Sequence, residues 1–596
     1  MMPHRGIRSR LNVGLALAIG LSASVAGPPA LGTSGADDAD LAETQGAIRM
    51  ERYIVSATRV DRNPWRYASV PGFEILSRAS SDDTNWWLHA LQSGLLLENH
   101  ILPPDWRPDS PVPYTLIIDF TDLKAVPGDQ IHLPPVKYGS PADAFTWGPY
   151  DSINLWIDRF EANDADTFAM NSNLFDVDAR SPAYGSISRK RLLRCAPPLP
   201  RWLVVGLLGK DCGLFRESFA PSNESYYEVG HFGKDRAIGP GTLWVSLEET
   251  KKLLDRFEKE NKDHPAKFKV PPLQGLFAEA PPPPEDRLAW ESEAALFMRW
   301  ALLGPGRLDP FMAHDFDEFV SRARREPVTE KVFADCFGFR YAEMERRLEA
   351  FIRVVLAKPT STYVKFPDSL PEARLTEAAT DQIGRILGDW LRMQGDSLRR
   401  TNPDLSQRIL SSAGRMLERA YRLDNGLPPD VEPFPEGGRS SDPLRNAVYG
   451  APVAMKPFVV SAAQIHDPGL LAVYGLYEHD IGNAANAREF LEAALRLGAK
   501  RPMANVVLAE LRYSEAIAGP SGKGGRLSAT QVAAILEPLR PTLQYPATLD
   551  AYRLLVETWA HCDTRPPESD VDRIAEGVGL FPRNVELAYR SALVCA

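Results

Sequence analysis

A chain of 596 residues is too long for one hydrophobic core and is expected to fold as roughly two to four domains. Hydrophobic residues at 44% and charged residues at 24% exclude a disordered or fibrous protein. A formal charge of -10, with no Lys/Arg block, excludes nucleic acid as a partner, because phosphate contacts need clustered positive charge.

The chain opens with Arg5, Arg8 and Arg10, followed by an apolar run from Leu11 to Ala26. Ser24-Val25-Ala26 offers a small-x-small cleavage site before Gly27. This pattern predicts a signal peptide over residues 1–26, and hence a secreted protein, periplasmic or extracellular. The alternative is an uncleaved anchor, for which the apolar run is short. Residues 27–50, rich in Gly, Pro and Asp, predict a disordered start. No later stretch is apolar for long enough to span a bilayer, so no transmembrane domain is expected after signal removal. The five cysteines, Cys195, Cys212, Cys336, Cys562 and Cys595, form no Cys-x-x-Cys pair. Thiolate zinc and redox dithiols are therefore unsupported. Cys195 and Cys212 can bridge in an oxidising compartment; the alternative is buried free thiols.

From Pro71 the pattern is α/β. Gly72 to Ser77 reads as a strand. Asp82-Asp83-Thr84 supplies a cap for an amphipathic helix from about Asn85 to His100, and Pro103-Pro104 stops it. Trp86-Trp87 lies on that helix and is expected to pack in the core. Tyr114 to Phe120 and Ser152 to Asp158 read as strands. The segment Pro197-Pro198-Leu199-Pro200-Arg201-Trp202-Leu203-Val204-Val205-Gly206-Leu207-Leu208-Gly209 follows. Thr250 to Lys262 reads as a charged helix and Pro281 to Pro284 as a stiff spacer.

The Trp202 segment resembles the Pro-x-Trp-Leu-x-Glu-Gly-Leu-Ala helix of gluzincin-type, peptidase MA-like zinc metallopeptidases. The strand, helix, strand, strand, helix order before it is similar to that family's N-terminal lobe. Trp290 to Trp300 resembles the helix after the metal site. Phe333 to Tyr341, leading into Met344 to Leu356, resembles the closing Phe-Gly turn and helix. The resemblance covers residues 71–357 and implies a zincin-like fold. It does not carry the chemistry. The family's third zinc ligand, a Glu, aligns with Val205, and no His-Glu-x-x-His occurs. Zinc hydrolysis needs two His one helical turn apart and a Glu to take the proton from bound water. The helix expected to supply them, Ser186 to Cys195, holds neither His nor carboxylate. Trp202, Leu203, Val205 and Gly206 are then expected to act in packing alone. The cations Arg189, Lys190, Arg191 and Arg194 form either a solvated face or a hold for an anionic ligand.

The last third is helical. Asp381 to Arg392 and Ser406 to Leu423 read as long helices, and Leu427 to Pro443 as a loop. Pro468 to Arg501 resembles a tetratricopeptide repeat, with Gly475, Ala487, Leu491 and Ala494 at the positions where two helices cross closely. Met503 to Ile517, Gln531 to Leu539, Thr548 to His561, Val571 to Leu580 and Asn584 to Val594 continue the helical pattern. The alternative to a repeat stack is an irregular bundle.

Other motifs fail on inspection. His314-Asp315-Phe316-Asp317-Glu318 reads as a helix start carrying acids that suit its dipole. Asn163 to Asp166 lacks the Gly and closing Glu of a calcium loop. Gly519 to Gly525 lacks the Ser/Thr and the preceding strand of a phosphate loop.

The expected fold class is an α+β zincin-like N-terminal domain plus an all-α helical-repeat C-terminal domain. Its parts are a signal peptide at 1–26, a disordered stretch at 27–50, an α/β lobe at 51–280, a helical lobe at 285–360 and helical repeats at 371–596. The expected function is a non-catalytic pseudo-metallopeptidase, exported, without cofactor or metal, that binds a protein or peptide through its repeats. The alternative is an active secreted hydrolase using non-standard metal ligands or a serine.

Overall fold

Short apolar strands set the frame of the first half. The computed structural model describes residues 64–107, 112–119, 154–158, 191–208, 219–220, 226–228, 236–238, 242–244, 270–280, 282–283, 286–357, 361–363, 370–400, 402–425, 460–519, 526–543 and 548–596. The expected signal peptide, the stretch 27–50, the Thr250 to Lys262 helix and the Leu427 to Pro443 loop lie outside them. Among the described residues no helix is long and apolar enough to cross a membrane.

Strands β1 (Arg66–Val70) and β2 (Phe73–Ser77) form an antiparallel hairpin turned at Gly72, whose φ of 81° suits a residue without Cβ. Strands β3 (Tyr114–Asp119) and β4 (Asn154–Asp158) add in parallel to β2, with Phe73 opposite Tyr114 and Leu116 opposite Leu155. Helix α1 (Ser81–Ile101) connects β2 to β3. It starts earlier than Asp82-Asp83-Thr84 suggests, because Ser80 is the cap: its Oγ accepts from the Asp83 amide at 3.0 Å. Strand pairs β5 (Phe219–Ala220) with β8 (Thr242–Trp244), β6 (Tyr226–Glu228) with β7 (Arg236–Ile238), and β8 with β9 (Ser361–Tyr363) form two further small sheets.

The main sheet has five strands in the order β10-β1-β2-β3-β4. Its outer strand β10 (Thr376–Glu377) comes from more than 300 residues downstream and pairs with β1. Neither β1 nor β10 carries a pattern strong enough to read from sequence. The segment around β10 is also tied to α1, where Asn85 Oδ1 accepts from the Ala373 amide at 2.6 Å.

Both faces of the sheet are covered, which is why β2 and β3 read as continuous apolar runs. Phe73, Ile75, Leu116 and Ile118 face a first core. It is built with α1, α2 (Arg201–Leu208), α3 (Arg287–Leu303), α4 (Pro310–Ala323), α5 (Glu330–Phe337) and α6 (Tyr341–Ala357). Leu76 and Ile117 face the other way, into a second core shared with Trp65. That core comes from α7 (Thr380–Leu398), α8 (Pro403–Asp424), α9 (Pro468–Asp480) and α10 (Ala484–Arg496), with the start of α11 (Pro502–Ala518). A third core joins α11 to α12 (Ala529–Leu536), α13 (Leu549–Ala560), α14 (Glu568–Leu580) and α15 (Val585–Cys595). The boundary expected at 360–371 is thus crossed by the sheet itself. The helical half supplies one strand and covers one face.

Local chemistry explains most helix ends. Asp309 caps α4 by accepting from the Phe311 amide at 2.9 Å, so His314 to Glu318 lie inside the helix and not at its start. Thr329 caps α5, and Gly338, left-handed at φ 72°, ends it at the expected Phe-Gly turn. Ser528 and Gln531 form a capping box on α12, and Asn584 caps α15.

Candidate functional site

The α2 region is a packed core. Trp202 through Leu207 are all buried. The Trp202 ring lies 5.1 Å from Phe277, 5.6 Å from Phe297 and 5.9 Å from Phe319, centroid to centroid. A Cβ on Gly206 would stand 2.6 Å from the Ala294 carbonyl oxygen and from Met298 Cγ, so glycine permits α2 to lie directly on α3. Leu203 is fully buried, and Val205, where the resemblance places a carboxylate ligand, is a buried isopropyl group. Trp202, Leu203, Val205 and Gly206 are all buried.

Of the four cations upstream, Arg189 and Lys190 lie outside the described residues. Arg191 turns inward. It is buried, its Nη1 lies 2.7 Å from Glu98 Oε2 on α1, and its Nη2 donates to Asn99 Oδ1 at 3.0 Å. Its charge is therefore met inside the fold, in place of the solvated or anion-holding face expected for it. Arg194 closes the same turn. Cys195 is a buried free thiol whose Sγ donates to the Trp106 carbonyl at 3.4 Å. Burial pushes the thiol up to about 12, which leaves it without nucleophilic thiolate at neutral pH. Cys212 lies outside the described residues. Among those residues, no three His, Cys, Asp or Glu side chains are grouped to hold a metal ion. Trp87 packs partly buried against the first core.

The carboxylates of this core sit on α3. Glu291 accepts from Arg287 at 2.9 Å. Glu293 is buried, its Oε1 has no hydrogen-bond partner, and burial, reinforced by Glu345, lifts its pKa well above the usual carboxylate range.

In the helical half, helices next to one another in sequence pack together. Helix α7 pairs with α8, α9 with α10, α11 with α12, and α13 with α14. The first helices also contact one another in order: α7 with α9, α9 with α11, α11 with α13, and α13 with α15. A Cβ on Gly475 would lie 2.5 Å from Leu491 Cγ, so Leu491 fills the space that glycine leaves. Ala487 and Ala494 are buried on the same face of α10. Of the four residues picked from the repeat pattern, Gly475 and Leu491 meet at the crossing, and Ala487 and Ala494 are buried on α10. An ion network ties the row together. Asp389 and Arg392 on α7 pair at 2.9 Å, Arg392 reaches Asp480 on α9 at 2.8 Å, and Arg501 before α11 reaches Asp389 at 2.8 Å. Burial opposes ionisation of Asp389, yet Arg501 and Arg392 hold its carboxyl well below the usual range.

One cleft opens on this row, between α11, α13 and α15, with a volume of about 340 Å³. Charged side chains line it: Glu510, Asp550, Arg553, Glu557, Glu586 and Arg590. The sequence reading missed these residues. Their spacing within α13 and α15 is visible as i, i+3 and i, i+4 charge pairs, but such pairs usually mark a solvated face. Only the packing of three helices brings them round a common space.

No family model, no curated protein and no solved structure matches the chain.

Proposed function

We propose that this is an exported, non-catalytic binding protein. Its first half is a peptidase MA-like frame without the metal chemistry, and its helical half offers a surface to a protein or peptide. The observation that carries this reading is the cleft between α11, α13 and α15, at the end of the helical half where α13 and α15 keep exposed faces. Stacked helical hairpins present one side of each pair as an extended surface suited to binding a chain segment. In the first half, the segment that resembles a metal-site helix is filled by Trp202, Val205 and Gly206 packing on α3. A buried apolar helix offers no ligand and no room for a substrate beside it.

Two measurements on the purified full chain test this. Metal analysis with a casein-degradation assay, with and without chelator, is expected to show neither stoichiometric zinc nor chelator-sensitive turnover. Finding both would establish the hydrolase alternative. Panning against displayed random peptides is expected to retain specific sequences, and a library that yields none removes the binding reading.

A further inference from the structure

The cleft between α11, α13 and α15 has an uneven charge balance. Four carboxylates and two guanidiniums line it. Arg553 on α13 reaches Glu586 on α15 at 3.0 Å. Arg590 on α15 pairs with Glu557 on α13 and reaches Glu586 Oε1 at 3.1 Å. Glu557 also accepts from the Tyr513 hydroxyl at 3.3 Å. The two arginines are thus matched to Glu557 and Glu586. Glu510 on α11 and Asp550 at the start of α13 make no hydrogen bond or ion pair among the described residues. Burial lifts the Glu510 carboxyl above its usual range, and Asp550 adds to this while His479 opposes it. The wall beside them is apolar, formed by Leu554, Val556 and Leu587.

Glu510 is a partly buried, unmatched carboxylate with the exposed Asp550 beside it, and its desolvation is a cost that an incoming cation offsets. A volume of about 340 Å³ is far larger than a bare metal ion needs. No metal-holding group of His, Cys, Asp or Glu occurs among the described residues, and the cleft also contains arginine. A lysine or arginine side chain matches both properties, since it carries a cationic head on an apolar stem. We propose that this cleft receives a Lys or Arg side chain of an extended peptide, with its head against Glu510 and Asp550 and its stem along Leu554. This rests on reading the helical row as a peptide-binding surface. The exposed faces of α13 and α15 beside the cleft would then hold the peptide backbone, and the cleft would select for one cationic position.

The test uses the full chain. Peptides retained from a random dodecapeptide display library are synthesised with a fluorophore and titrated by anisotropy. The expected result is a shared Lys or Arg whose replacement by norleucine weakens binding about tenfold or more, the scale of one charge-assisted contact. The double variant Glu510→Gln, Asp550→Asn is expected to weaken the parent peptide to the same degree and to leave the norleucine peptide unchanged. These amides keep the shape of the side chains and break no ion pair among the described residues, so the thermal midpoint is expected to hold. Arg553→Gln makes the cleft more negative and is expected to bind the parent peptide at least as tightly as the native chain does. Retained peptides without a cationic position, or with equal affinity for the double variant, overturn the cleft assignment and leave the binding reading in place. A library that yields nothing overturns both.

Discussion

At the scale of single residues, the sequence made the packing role of α2 legible and hid the buried acid beside it. Trp202, Leu203 and Gly206 stand out because a large ring, an aliphatic chain and a glycine at helical spacing have one common use, close helix contact. Glu293 does not stand out, because Glu291-Ser292-Glu293 reads as a polar patch at the start of α3. Only the approach of α6, which brings Glu345 near, shows that Glu293 is covered. Its folded pKa lies above its unfolded value, so folding favours the protonated acid. The stability associated with that proton is complete below the unfolded value near pH 4.3 and is lost as pH rises through the folded value. Glu293→Gln keeps the shape and cannot ionise. It is expected to raise the free energy of unfolding at pH 8 by about 1–3 kcal/mol, the usual cost of an unsatisfied buried polar group, and to change little at pH 4. Urea melts of both proteins at the two pH values give the comparison. An equal effect at both would mean that ionisation of Glu293 is not the cause.

At the scale of elements, helices were far easier to read than strands. The tail helices follow from their caps and from apolar residues at helical spacing; α9 and α10 fall within the expected span Pro468 to Arg501, and α11 to α15 begin and end within a few residues of the expected limits. Strands β1 and β10 have five and two residues, and β10 finds its partner across the whole first half. No local pattern can announce such a pairing. The crossing of α9 and α10 lies between these cases. The repeat positions named Gly475 and Leu491, and the structure shows why they go together, since the leucine occupies the volume of the absent methyl group. Gly475→Ala alone is expected to cost about 1–3 kcal/mol by overpacking, and Leu491→Ala alone about 2–5 kcal/mol by leaving a cavity. In the double variant the new methyl group has room, so its cost should fall below the sum by more than about 0.5 kcal/mol. Strict additivity in chemical melts would show that the two side chains do not share this space.

At the scale of the whole molecule, residues 62–596 form one compact unit in which the two halves share a sheet, and this was the least legible property of all. A change from strand-rich to helix-rich pattern reads as a domain boundary, and residues 360–371 were the natural place for it. The sheet shows otherwise. Leu76 and Ile117 would face water without α7, α8 and α9, and β1 would lose its outer partner β10. Arg385 on α7 adds a bidentate contact to Glu74 on β2, with one arm at 3.0 Å, and a longer one to Asp467 before α9 at 3.5 Å. Removing one partner of this partly buried pair leaves Glu74 without its cation and is expected to cost about 1–3 kcal/mol. Arg385→Met is therefore expected to lower the stability of both halves together. Hydrogen exchange in peptides from β2 and β3 should quicken in step with exchange in peptides from α7 and α9. A chain ending at residue 370 should lack native near-ultraviolet circular dichroism, because its sheet has one bare face and one missing strand. A cooperative fold in that shortened chain, or faster exchange in α7 and α9 alone, would show that the halves are independent. The same coupling bears on binding. A partner seated on the outer hairpins α11 to α15 engages a row whose inner end, α7 and α9, is held by the sheet. Its binding energy would then stabilise the first half as well as the second, by the linkage that ties any ligand of the folded state to folding.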